Sequence, residues 1–264
     1  MSDELHITTR GAGPDLVLLH GWAMHSGVFE ALAQQLEARW TLHLVDLPGH
    51  GHGRDSALPL ALEPVVEALV ARVPHALWAG WSLGGLFALH AAATRPHAVA
   101  GLAMLCASPR FVRGEDWRLG MSPEIFRGFA LGLRSDWRAT LDRFIALEAF
   151  GSDDARHEMR VLREEVFARG QPAAHVLADG LELLETTDLR PVLPTLAMPT
   201  LWLAGRRDRL VDPRAMREAA AQVPRAEVVV VEHAGHAPFL THAGAVAAAL
   251  DGFAATAFAP QAPR

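Results

Sequence analysis

The sequence predicts an α/β protein, a mostly parallel sheet flanked by helices and interrupted by one helical insertion. Short apolar runs alternate with helix-spaced segments along most of the chain. Those runs are nearly continuous in Leu, Val and Ala, as strands buried on both faces require. Residues 110–190 carry almost no strand signal and read as helix.

The first strand is expected at 16–20, Leu16-Val17-Leu18-Leu19-His20, stopped by Gly21. A helix over 26–38 follows, because Val28, Leu32 and Leu36 recur four residues apart on one face. The run at 41–46 is a second strand, ended by Leu47-Pro48-Gly49. A helix near 60–72 leads to a strand at 76–81, then an apolar helix at 83–94, closed by Arg95-Pro96. A strand at 98–106 precedes the insertion, where charges are dense and the aromatics include Trp117, Phe126, Phe129 and Trp137. Alternation resumes with strands at 200–204 and 227–231 and helices at 213–222 and 243–253. The expected organisation is a discontinuous core, 1–109 and 191–256, with a cap at 110–190 and a flexible tail at 257–264.

Composition narrows the function. Half of the 264 residues are hydrophobic, enough for a large core, and the formal net charge of −6 argues against a nucleic-acid partner. No apolar stretch approaches the roughly 18 residues of a membrane span, and the acidic start Met1-Ser2-Asp3-Glu4-Leu5-His6 does not resemble a signal peptide. The expectation is a cytoplasmic protein that avoids the membrane. The single cysteine, Cys106, ends an apolar run and reads as inert core. Lys, Asn and Tyr are all absent, a coding bias that weakens any argument for Arg having been chosen over Lys.

The chemistry centres on Gly80-Trp81-Ser82-Leu83-Gly84, a G-x-S-x-G pattern between an expected strand and an apolar helix. A serine on such a turn sits in a strained conformation, and the small residues on either side let strand and helix approach. Ser82 is therefore the expected nucleophile. The base should lie in a loop after the last strand, where His236 falls within Ala234-Gly235-His236-Ala237-Pro238-Phe239. His233 is the nearest rival, placed at the strand end, where its ring is expected to pack or cap. On this fold the acid comes between serine and histidine in chain order. Asp208 lies inside the loop after 200–204, whereas Asp212 stands before Pro213 and reads as a helix N-cap.

Ser82, Asp208 and His236 would then form an acyl-transfer triad. The oxyanion would be received by the backbone N–H of Leu83 and, from the His20-Gly21-Trp22 loop, that of Trp22. Asp46 is expected to tie down its own turn rather than take part in catalysis. His20, His50 and His52 lack metal-site spacing, so neither metal nor cofactor is expected.

Together, His20-Gly21-Trp22, Leu44-Val45-Asp46-Leu47-Pro48-Gly49, Gly80-Trp81-Ser82-Leu83-Gly84-Gly85, Ala107-Ser108-Pro109, Gly180-Leu181-Glu182-Leu183-Leu184 with Asp188-Leu189-Arg190, and Ala234–Phe239 resemble the BioH family. These are α/β-hydrolase-fold esterases that remove the methyl ester of pimeloyl-acyl-carrier protein in biotin synthesis. The resemblance runs from about residue 6 to 253. It implies acyl contacts from Phe144, Ile145, Ala146, Leu147 and Glu148, alongside Trp22, Ser82, Leu83 and His236. It also implies an acidic carrier protein as partner. Arg156, Arg160 and Arg163 share one side of a helix, with Arg138 and Arg143 before them, and either dock that partner or form an ordinary solvated face. A monomer is expected. Two other readings stand beside it: a broad short-chain carboxylesterase without a carrier partner, and a non-catalytic ligand-binding protein on the same fold.

Overall fold

The computed structural model describes residues 4–259. Its centre is a seven-stranded sheet of order β1-β3-β2-β4-β5-β6-β7. The strands are β1 (His6–Gly11), β2 (Asp15–Leu19), β3 (Thr41–Asp46), β4 (Ala76–Trp81), β5 (Val99–Leu105), β6 (Thr200–Gly205) and β7 (Ala226–Val231). All neighbours pair parallel except β1, which runs antiparallel to β3 at one edge. Central β4, Ala-Leu-Trp-Ala-Gly-Trp, is buried at every position, as a two-sided parallel strand must be. Edge strand β7 exposes its first three residues.

Helices cover both faces. On one lie α1 (Glu30–Leu36), α9 (Pro238–Thr241) and α10 (Ala243–Ala257); on the other lie α2 (Leu62–Val70), α3 (Leu83–Thr94) and α8 (Pro213–Ala220). Helix α3 is buried nearly all round, between the sheet and the insertion above it. Between β5 and β6 the chain forms α4 (Pro123–Ser135), α5 (Trp137–Ala149), α6 (Ala155–Ala168) and α7 (Ala174–Thr186). No strand interrupts these four helices. Caps mark two of their starts: Ser122 accepts from the Glu124 N–H, and Asp136 from the Ala139 N–H.

Three contacts seat these helices on the sheet's carboxyl ends. The indole N–H of Trp22 donates to the Leu177 carbonyl (2.8 Å), and the Ala173 N–H donates to the Gly49 carbonyl (2.9 Å). Arg169, just past α6, reaches the Ser26 hydroxyl (2.9 Å) and the buried carboxylate of Asp46 (3.3 Å).

The structure departs from the sequence expectation at three places. Strand β1 went unpredicted, because His-Ile-Thr-Thr-Arg-Gly has no apolar run and its burial is only partial. The helix expected at 26–38 divides into a 3₁₀ turn, Ser26–Phe29, and the shorter α1, where the His25 ring accepts from the Gly27 N–H and starts the chain in tight register. The last helix runs four residues beyond Phe253, to Ala257, and Phe258 follows it onto the core, its ring lying 6.1 Å from Trp40. Of the expected tail, residues 260–264 lie outside the described residues. Among the described residues, no helix is long and apolar enough to cross a membrane.

Candidate active site

Ser82 is the junction between β4 and α3, with φ 52° and ψ −118°. A non-glycine residue seldom adopts such a backbone, and here the surroundings enforce it. A Cβ on Gly80 would run into the backbone of Gly84 and Gly85 across the turn, so strand and helix are in direct contact. Gly21 matters for the same reason: a Cβ there would lie 3.0 Å from the Trp81 ring and 3.2 Å from Ser82 Cβ. The loop after β2 therefore passes directly over the serine. On that loop the backbone N–H of Trp22 follows Gly21, and the Leu83 N–H opens α3 just after Ser82. Among the described residues neither N–H donates to another protein group. Two open donors beside one hydroxyl can receive a developing oxyanion.

Asp208 and His236 meet at the carboxyl ends of β6 and β7. The Nδ1 of His236 and Oδ2 of Asp208 are 2.8 Å apart, both side chains fully buried. The other carboxylate oxygen, Oδ1, accepts from the N–H groups of Leu210 (2.8 Å) and Val211 (2.9 Å), which fixes the carboxylate plane. The Nε2 of His236 is buried and makes no hydrogen bond, so it is open to a proton. The ring is held from behind: Trp81 donates its indole N–H to the His236 carbonyl (2.9 Å), and Phe239 packs edge-on against Trp81. A pair of this geometry, its carboxylate fixing Nδ1–H, can take a proton at Nε2 and give it back.

The residues set aside on sequence grounds have separate work. Asp212 caps α8, accepting from the Arg214 N–H at 2.8 Å. His233 stands at the surface, 2.9 Å from Asp153. Asp46 ties the turn after β3 to the Ser26 and His52 N–H groups, each at 2.8 Å. His20 donates Nδ1–H to the Gly21 carbonyl (2.8 Å) and accepts the Leu47 N–H at Nε2 (3.0 Å), a neutral tautomer that staples the oxyanion loop to the turn. Burial pushes His20 down to about 3 and His50 to about 4, so both are uncharged at neutral pH.

Ser82 opens into a narrow apolar slot between sheet and insertion. Its walls are Phe111, Met121, Phe126, Phe129, Phe144, Leu181, Leu184 and Leu210. This corrects the expected lining segment. Of its five residues only Phe144 faces the slot, edge-on to the Trp22 ring at 4.7 Å. Ile145 packs within the core, Ala146 faces solvent, Leu147 is half-buried away from the slot, and Glu148 is buried. At 3.6 residues per turn, five consecutive helical residues cannot share one wall. Pairings across the sequence supply the others: Phe126 and Phe129 on α4, Leu181 and Leu184 on α7.

The five basic residues considered for docking are all exposed. Arg138 stacks on Trp137, Arg143 donates to Thr140, and Arg160 contacts Glu164 and His157. Arg156 makes no ion pair among the described residues. Arg163 pairs with Asp142 on α5.

Sequence reasoning missed a buried acidic set behind the histidine. Glu148 and Glu158 are both 0 % exposed. Cys106 is fully buried as expected, but its Sγ, an Asp208 oxygen and a His236 nitrogen lie within 4.8 Å of one another. Burial pushes that thiol well up, and the other two members of the trio are already joined by the Asp208–His236 hydrogen bond.

Comparison with known proteins places the chain in a family. A family profile of the alpha/beta hydrolase fold matches residues 14–243. A pimeloyl-acyl-carrier-protein methyl ester esterase from Stenotrophomonas maltophilia is 57% identical over 251 residues, 95% of this chain and 96% of the relative. Its counterpart from Xanthomonas campestris is also 57% identical, over 95% of this chain and 99% of its own. Among solved structures, a hydrolase from Oleispira antarctica superposes with a TM-score of 0.84 at 18% identity, covering 95% of this chain and 94% of that one. The chain belongs to the alpha/beta hydrolase family and, within it, to the pimeloyl-acyl-carrier-protein methyl ester esterases.

Proposed function

We propose that this protein hydrolyses the methyl ester of pimeloyl-acyl-carrier protein, releasing methanol and the free ω-carboxylate, in biotin synthesis. The substrate rests on 57% identity along 95% of the chain to enzymes of that activity. The chemistry rests on one observation, a buried His236–Asp208 pair whose Nε2 is open.

In this reading His236 Nε2 takes the Ser82 hydroxyl proton as Oγ attacks the ester carbonyl carbon. Negative charge on the former carbonyl oxygen is received by the N–H groups of Trp22 and Leu83, each worth about 2.7–4 kcal/mol. Collapse breaks the bond to the methoxy oxygen, which leaves as methanol with the proton from His236. Water then attacks the acyl-serine, its proton passing to His236 and back to Ser82 as the carboxylate departs. Throughout, Asp208 holds the Nδ1–H tautomer and balances the transient imidazolium.

Residues 110–190 act as a cap, and the apolar slot between cap and core takes the seven-carbon acyl chain. Arg138, Arg143, Arg156 and Arg160 give the carrier protein an exposed basic surface to meet, and the enzyme works as a cytoplasmic monomer. The test compares methyl pimeloyl-carrier protein with a short p-nitrophenyl ester at low and high salt. Demethylation of the carrier substrate, weakened by salt while the small ester is unaffected, is the expected result. Activity confined to the small ester would instead establish the broad carboxylesterase.

A further inference from the structure

We propose that Glu158, backed by Glu148, is a positioning residue for His236, a second acid contributed by the insertion that governs how readily the imidazole holds a proton. The inference rests on the triad reading above and adds a member that does not touch substrate.

The turn between α5 and α6 is pressed against the loop that carries His236. The His236 N–H donates to the Glu148 carbonyl (3.4 Å), and the Asp153 N–H to the His233 carbonyl (3.3 Å). A Cβ on Gly235 would lie 3.2 Å from Ser152 Cβ and 3.5 Å from the Glu148 carbonyl oxygen. Into this packed junction α5 and α6 each send a carboxyl. Neither oxygen of Glu148 nor of Glu158 makes a well-formed hydrogen bond, although the Ser152 hydroxyl and the Ala237 N–H lie alongside Glu158. Two unpartnered buried acids are costly to keep, and a core position needing only bulk would be better filled by an apolar side chain.

The groups facing Glu158 come from each neighbouring element. Glu148 faces it from α5, Asp208 from the loop after β6, His236 from the loop after β7, and Cys106, more weakly, from the end of β5. Helix α9, packed on α6, has no titratable residue. The 3₁₀ turn Ser26–Phe29 is preceded by His25, which faces Glu165 instead, at 3.8 Å. Arg207, Asp153 and His233 pair with one another at the surface beyond the turn.

Burial and the neighbouring acids push Glu148 well up, so it stays protonated. Burial pushes Glu158 up to about 7, against the pull of Ser152 and His236. Glu158 is thus the acid that gains charge near neutrality. Its ionised form stabilises the imidazolium that His236 becomes when it takes the serine proton, in a site too dry to screen the interaction.

The test uses a short p-nitrophenyl ester, so that carrier recognition does not enter, and follows kcat and kcat/KM from pH 5 to 9.5. Glu158→Gln is expected to move the acid limb of kcat/KM down by about one pH unit. It should also lower the plateau kcat roughly three- to tenfold, with KM within about twofold. Glu148→Gln, an amide for a carboxyl that is already neutral, leaves the limb in place. A Glu158→Gln profile superimposable on wild type, with only the melting temperature altered, overturns the proposal. A second measurement needs no variant: ¹⁵N NMR of the His236 ring in the wild-type protein should show an added inflection as Glu158 ionises, and a single-step titration contradicts it. If Ser82→Ala retains activity on the same ester, the triad reading fails. If it is inactive and the Glu158→Gln profile does not move, this inference fails alone.

Discussion

Replacing Asp208 by Asn should abolish nearly all turnover while leaving the fold intact, and the local hydrogen bonds say why. In the wild-type protein Oδ1 accepts two backbone N–H groups, those of Leu210 and Val211, and Oδ2 faces His236 Nδ1. An asparagine has one acceptor oxygen, and the two backbone donors will claim it. The amide NH₂ is then turned toward His236, where it can only donate. Nδ1 must become the acceptor, the ring proton moves to Nε2, and Nε2 can no longer take a proton from Ser82. A tautomer inverted in this way typically costs about 10⁴ in kcat, equivalent to about 5.4 kcal/mol at 1.36 kcal/mol per tenfold. The elbow and both proposed oxyanion donors survive, so residual activity should remain above the uncatalysed rate. Initial rates on a p-nitrophenyl ester at pH 8, beside a thermal melt, are sufficient. A Asp208→Asn enzyme within tenfold of wild type, with an unchanged melt, would refute the assignment of this pair.

Other consequences follow from the same contacts. Glu158, raised to about 7 in the folded protein from an ordinary 4.5, binds its proton more tightly folded than unfolded. Stability should therefore fall as pH rises from about 4.5 to 7 and then level off, by on the order of 3 kcal/mol for this group. Urea denaturation across that range should show the slope, and Glu158→Gln should flatten it. Arg169→Ala removes the side chain that joins the end of α6 to Asp46 and Ser26. Because Asp46 keeps two backbone donors, the expected loss is about 1–3 kcal/mol, read from the urea midpoint. Phe144→Ala widens the slot beside Trp22. It should raise KM for a seven-carbon acyl ester roughly tenfold, affect a two-carbon ester far less, and cost about 3 kcal/mol of stability. Equal effects on both esters would remove Phe144 from the acyl path.

How much of this was legible in the sequence depends on how local each signal is. The sheet's interior strands were readable because burial on both faces leaves no room for polar residues, and β4 shows it at every position. Ser82 and Asp208 were readable as candidates because each sits just after such a strand, and His236 because it follows the valine run of edge strand β7, so strand prediction also located the loops. Asp212 could be separated from Asp208 by the proline behind it, and the cap geometry agrees. Strand β1 was not legible, since an edge strand with one solvated face and a Thr-Thr-Arg run has little apolar signature. The acyl segment 144–148 resisted for a different reason: a run of sequence was treated as one wall, whereas a helix distributes it over all sides. Glu148 and Glu158 were hidden most completely. Acids on amphipathic helices usually face water, and only the packing of α5 and α6 on the His236 loop turns these two inward. Arg169's reach to Asp46, 123 residues earlier, has no local signal at all.

The central claim is that Ser82 carries out demethylation of a carrier-bound pimeloyl ester. Methanol release from methyl pimeloyl-acyl-carrier protein, measured side by side for the wild-type protein and Ser82→Ala at equal folded concentration, tests it most directly. Steady release by wild type and a drop on the order of a millionfold in the variant is the predicted result. Comparable release by both proteins, or none from wild type, would contradict it.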